Sequence, residues 1–139
     1  MKPCPRWSDN LPAVLVFGLV WIGSSIPADS MPDTQLFDYD KLLHFGEYTV
    51  VGLSLWWLVR RSTRIPDGLN RFFFVLALGM LWGMVDELHQ GFSGRDSSLW
   101  DLLADSIGLI TISTIAARGW LDWLLAFGVG PDGESVRNP

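Results

Sequence analysis

Four apolar stretches alternate with polar ones along the chain, and charged residues mark the borders. Leu11 to Ala28 carries no charge, and Lys41 to Arg60 carries only Glu47 between its ends. Phe72 to Gly91 is apolar until Asp86, and Leu99 to Ala117 holds Asp101 and Asp105 near its start. Each stretch approaches the roughly 20 residues, rising ~1.5 Å apiece, that a ~30 Å hydrocarbon core requires. The pattern predicts an all-α membrane protein with four transmembrane helices over about 11–27, 41–60, 72–91 and 99–118. They form a single transmembrane domain over 1–127, followed by a polar tail at 128–139 that is expected to be disordered. A soluble bundle would instead show a polar stripe recurring along each helix. "FFFVLALGMLWGMV", Phe72 to Val85, has none.

The first stretch also resembles a signal peptide, with a basic start and small residues after an apolar centre. Its apolar run is long for that, and Ile26-Pro27-Ala28 is a poor cleavage site. A retained helix is expected.

Composition narrows the class further. Of 139 residues, 49% are hydrophobic and only 18% charged, below the ~25% usual in soluble domains. A single cysteine, Cys4, excludes an internal disulfide and a cysteine-rich zinc site. The net charge of −5 argues against non-specific nucleic-acid binding, so no nucleic-acid partner is expected. Membrane lipids are the expected surroundings. No repeat or low-complexity segment is present.

The placement of Lys and Arg sets an orientation. Arg60, Arg61, Arg64 and Arg71 cluster between the second and third helices, with Lys2 and Arg6 at one terminus and Arg118 and Arg137 at the other. The positive-inside rule puts both termini in the cytoplasm and the loops 27–40 and 92–98 outside. "GWLDWLLAFG" after the fourth helix suits an interfacial segment on the cytoplasmic face, and the Trp residues at 56, 57, 82, 100, 120 and 123 suit interfacial or lipid-facing anchors.

With that topology, carboxylates from three helices meet at one depth. Glu47 lies near the outer start of the second helix, Glu87 near the outer end of the third, and Asp105 near the start of the fourth. Asp40, His44 and Glu47 share a face, with Lys41 and Tyr48 beside them; Glu87 and Gln90 share another; Asp101 and Asp105 are one turn apart. Gly108, a turn further, allows close helix approach. Each intramembrane charge costs at least ~2.5–3.5 kcal/mol, so such groups turn inward and pair. Asp86 and His89 fall on other faces of the third helix and are expected at the headgroups.

"DKLLHFGEYTVVGL" followed by "DELHQGFSGRDSSLWDLLADSIG" resembles the VanZ-like family of small bacterial integral membrane proteins. The shared pattern is Asp-Lys-x-x-His-Phe opening one helix, Glu-x-x-Gln closing the next, then Gly-Arg, then an Asp opening the last. It covers residues 38 to 115, with two separated motifs matching in order and spacing. The resemblance implies a multi-pass protein of the bacterial inner membrane, in a family named for low-level teicoplanin resistance. Its motif positions here are Asp40, Lys41, His44, Tyr48, Glu87, Gln90, Arg95, Asp101, Asp105 and Gly108. Ser93 and Asp105 depart from the Pro and Asn that many members carry.

Each of these residues also has a structural role available. Asp40 and Lys41 suit an N-cap and a snorkelling lysine, Asp101 suits a helix dipole, and His44 suits a packed histidine with one partner. Arg95, with five donors, is expected to clamp Asp101 or an anionic headgroup. Three chemistries fit the set. "GFSG" resembles the G-x-S-G of rhomboid proteases, but that fold needs more helices. His44, Glu87, Asp101 and Asp105, with Glu47 nearby, offer one nitrogen and several oxygens, which makes a divalent metal a candidate cofactor for hydrolysis or transfer. No diagnostic metal spacing accompanies them. The third is binding without chemistry. The expected function is an outward-facing polar pocket that recognises, and in one version modifies, a glycopeptide antibiotic, a lipid-linked cell-wall precursor or a lipid headgroup. A structural or accessory subunit of a membrane complex is the alternative. The sequence leaves open whether the protein is an enzyme.

Overall fold

The computed structural model describes residues 10–27, 30, 40–61, 65–66, 68–95 and 97–120. The predicted tail at 128–139, the segment from 121 onward and most of the first loop lie outside them. Among the described residues the architecture is all-helical: α1 is Leu11–Ser24, α2 Asp40–Arg61, α3 Leu69–Phe92 and α4 Leu99–Ala117. Three of these, α2, α3 and α4, are long and apolar enough to cross a membrane. The first is shorter than its apolar run suggests. It has 14 residues, about 21 Å of helix at ~1.5 Å per residue. Ser25 Oγ turns back to donate to the Trp21 carbonyl at 2.7 Å. Pro27 then disfavours helical backbone at Ile26, so the helix stops while the sequence is still apolar.

The other boundaries follow local chemistry. Gly68, at φ 77°, opens α3 in a conformation that side chains resist. Gly94, at φ 76°, closes it, and the Arg95 N–H reaches the Gln90 carbonyl at 3.1 Å, the bond of a Schellman cap. Ser98 caps α4, its hydroxyl accepting from the Trp100 N–H at 3.2 Å.

Burial repeats every three or four residues, as one face of a helix requires. On α4 the buried positions are Asp101, Ala104, Asp105, Gly108, Leu109, Ile112, Ser113 and Ala116. On α3 they run Arg71, Val75, Gly79, Gly83, Asp86, Glu87 and Gln90. The most extensive interface joins α2 to α4, with α3 against both, while α1 packs on α2 and α3 and not on α4. Tyr48, Val51, Leu55, Trp56, Val59, Val75, Leu109, Ala116 and Val20 form the apolar core. Trp56 is only 5% exposed, so it is a core residue rather than the anchor its residue type suggests.

The distribution of polarity is inverted relative to a soluble bundle. Phe73, Phe74, Leu81, Met84, Leu103 and Ile107 are exposed, while His44, Asp86, Glu87, Gln90, Asp101 and Asp105 are buried. Lipid tails are as apolar as leucine, so helix association in lipid depends on close packing and internal hydrogen bonds. Glycine supplies the closeness. A Cβ on Gly108 would lie 2.5 Å from the Phe45 carbonyl oxygen of α2. Gly52 leaves room for the side chain of Ile112, and Gly79 for that of Leu109.

Candidate functional site

α2 and α4 begin, and α3 ends, at one end of the bundle, which gathers their polar first and last turns. His44 Nδ1 and Asp105 Oδ1 lie 3.0 Å apart, both side chains buried. His44 Nε2 faces Asp40 Oδ1 of its own helix at 3.8 Å. Lys41 Nζ bonds Asp101 Oδ1 and lies 3.2 Å from Asp40 Oδ2, so one ammonium joins the first turns of α2 and α4. Glu87 Oε2 accepts from the Ser98 N–H at 2.9 Å, tying the end of α3 to the residue that caps α4. His44, Glu87 and Asp105 each bring a ligand-type atom to within 4.8 Å of the others. Asp40, His44 and Asp101 form a second such group, with His44 common to both.

Beside this cluster, on the α1 side, is a cavity of about 400 Å³. Asp40, His44, Glu47, Gln90 and Arg95 supply its polar lining, and Gly23, Ser24, Ile26 and Leu43 the remainder. α1 is joined to α3 by His89, whose ring stacks on Trp21 with centroids 3.9 Å apart and whose Nε2 lies 2.8 Å from Ser25 Oγ.

The structure gathers most of the expected residues, in two places. Lys41, His44, Glu87, Asp101 and Asp105 meet in the inter-helix cluster, while Glu47, Gln90 and Arg95 line the cavity. Asp40 and His44 belong to both. Tyr48 is fully buried, and its hydroxyl has no hydrogen-bond partner among the described residues. Its ring edge and Asp105 Oδ2 both border Gly83, where an added Cβ would lie 3.2 and 3.3 Å from them.

Two expectations change. Lys41, not Arg95, is the cation on Asp101. Arg95 follows the turn after α3 and lines the cavity, whereas Lys41, in the first turn of α2, stands against Asp101 in the first turn of α4. Asp86 does not face headgroups. Asp86 is 1% exposed and accepts from Gln90 Nε2 at 3.1 Å, while His89 is engaged by α1. The signal for Asp86 was its spacing: it follows Gly83 by three residues and precedes Gln90 by four, on the buried stripe. Ser24, 3.5 Å from Gln90 Nε2, carried no comparable signal, because its role depends on where α1 docks.

Comparison of the chain with family models, with curated proteins and with solved structures finds no match.

Proposed function

We propose that this chain is a multi-pass inner-membrane protein, related to the VanZ-like family, that binds the polar end of an amphiphilic envelope ligand at the outer leaflet. In this reading all four helices cross the membrane, both termini are cytoplasmic, and the end of the bundle bearing the cavity faces outward. The shorter α1 is accommodated by local thinning of the bilayer. The observation that carries the proposal is the cavity itself, with its lining drawn from α1, α2 and the end of α3. Asp40 and Glu47 suit ligand hydroxyl or amine donors, and Arg95 suits a phosphate or carboxylate. Its volume of about 400 Å³ lies toward the lower end of the ~300–1,000 Å³ typical of small-molecule sites. That size accommodates a headgroup or a sugar-phosphate unit rather than a whole glycopeptide. A lipid-linked cell-wall precursor or a phospholipid is therefore the favoured class. Such a ligand survives mild extraction and is read as a discrete mass on the intact protein.

Orientation is tested by cysteine accessibility in a Cys4→Ser background. Ser97→Cys, before α4, should react with a membrane-impermeant reagent added to the periplasmic face, and Asn70→Cys, at the start of α3, should not. Both native side chains are exposed. The reverse pattern would remove the outward-facing site.

A further inference from the structure

We infer that His44, Glu87 and Asp105 form a divalent-cation site buried between α2, α3 and α4. It deepens the ligand-binding reading, since it shares His44 with the cavity. The first observation is geometric: one imidazole nitrogen and two carboxylate oxygens, from three different helices, lie within 4.8 Å of one another. The second is independent of that clustering. Glu87 is 8% exposed and Asp105 is 1% exposed, yet Glu87 Oε1 and Asp105 Oδ2 have no hydrogen-bond partner among the described residues. Buried carboxylate oxygens are ordinarily paired, because leaving one unpaired has a substantial desolvation cost.

Charge balance points the same way. At this end of the bundle Asp40, Glu47, Asp86, Glu87, Asp101 and Asp105 stand against Lys41, Arg95 and His44. Lys41 is committed to Asp40 and Asp101, so the outer group of Asp40, His44 and Asp101 already holds a cation. Among the described residues the inner group has none beyond its own histidine. A divalent ion there would answer the excess in low-dielectric surroundings, where unpaired carboxylates are costly.

The surroundings suit a metal in two further respects. A ligating histidine usually directs its second nitrogen at a carboxylate, which orients the ring. His44 Nε2 lies 3.8 Å from Asp40 Oδ1, while Nδ1 points at Asp105. Glu87 is oriented likewise by the Ser98 N–H. Metal–ligand distances of ~2.0–2.2 Å require the donor atoms to close by roughly half an ångström, within reach of side-chain torsions. One nitrogen with oxygens selects the Mn²⁺ or Zn²⁺ class rather than a soft cation.

The full chain in lipid nanodiscs, stripped with chelator and re-equilibrated with Mn²⁺ or Zn²⁺ alone, tests the site. The expected result is one ion per chain by elemental analysis, lost in Glu87→Gln and Asp105→Asn. Asp40→Asn should weaken the affinity by ~10–100-fold as an orienting residue. Glu87→Gln should melt no lower than the chelated wild type, because it removes a buried charge that has no side-chain partner among the described residues, whereas Asp105→Asn should melt lower, because it takes the partner from His44. Pulsed electron paramagnetic resonance of bound Mn²⁺ should show one imidazole nitrogen, and this reading needs no variant to fold. A wild type that takes no ion, ligand variants that bind as wild type does, or Mn²⁺ without nitrogen coupling would overturn the site. Stripped protein that retains its co-extracted ligand but takes no metal would overturn this inference alone. Protein that takes the ion but carries no ligand would support it while overturning the binding reading.

Discussion

His44→Ala should destabilise the bundle by about 3–5 kcal/mol, the cost typical of removing one partner from a buried charge pair. His44 is the only hydrogen-bond partner that Asp105 has among the described side chains, and the second Asp105 oxygen already has none. Removing the imidazole leaves the whole carboxylate unpaired between α2 and α4. The magnitude distinguishes two descriptions of the contact. Neutral hydrogen bonds between membrane helices average ~0.6 kcal/mol and reach ~1.7 in double-mutant cycles. A His44→Ala, Asp105→Asn cycle in detergent, read by reversible unfolding, should give a coupling above that range. It should also show the double variant to be more stable than His44→Ala alone. A coupling near 0.6 kcal/mol would reduce the pair to an ordinary neutral bond.

The second large effect is expected at Gly108. An alanine there places its Cβ 2.5 Å from a backbone oxygen of α2 and 3.1 Å from the Thr49 nitrogen. Backbone atoms within a helix cannot rotate away as a side chain can, so α2 and α4 must separate. Overpacking costs ~1–3 kcal/mol and occasionally more; Gly108→Ala belongs at the upper end because the principal interface opens. Gly46→Ala supplies the contrast, since nothing lies within 4 Å of an added Cβ there. It should be neutral or stabilising by up to ~1 kcal/mol from helix propensity. Melting temperatures of the two variants check both statements, and equal losses would contradict the close approach.

The helices that cross the bundle were legible from charge borders alone, because a run of apolar residues closed by Arg or Asp leaves little choice of ends. Predicted 72–91 became Leu69–Phe92, and predicted 99–118 became Leu99–Ala117. The first helix was less legible. Hydropathy continues through Ile26, but the Ser25 hydroxyl and Pro27 end the helix earlier. The polar cluster was legible as a set, since three helices carried carboxylates at matching depth and His44 stood on the same face as Asp40. Partner choice was not. Lys41 rather than Arg95 reaches Asp101 because α2 and α4 run side by side from the same end, a relation absent from spacing within either helix. Asp86 was misassigned because a buried stripe on α3 is wide enough to include two adjacent residues, Asp86 and Glu87. Residue type misled at Trp56, where position on the Tyr48–Val51–Leu55–Val59 stripe prevails over the preference of tryptophan for interfaces.

Arg95→Gln and Glu47→Gln separate polar groups that serve a ligand from groups that only hold helices together, because both side chains line the cavity. Arg95 lines the cavity, where water can replace a lost contact. The decisive measurement is the melting temperature of each variant in mild detergent, taken alongside the ligand mass retained on the intact protein. Both variants should melt within about 4 °C of wild type, roughly what 1 kcal/mol produces in a domain of this size, with the ligand mass lost. Variants that unfold, with ligand retention following only the amount of folded protein, would contradict this and make the cluster a structural staple.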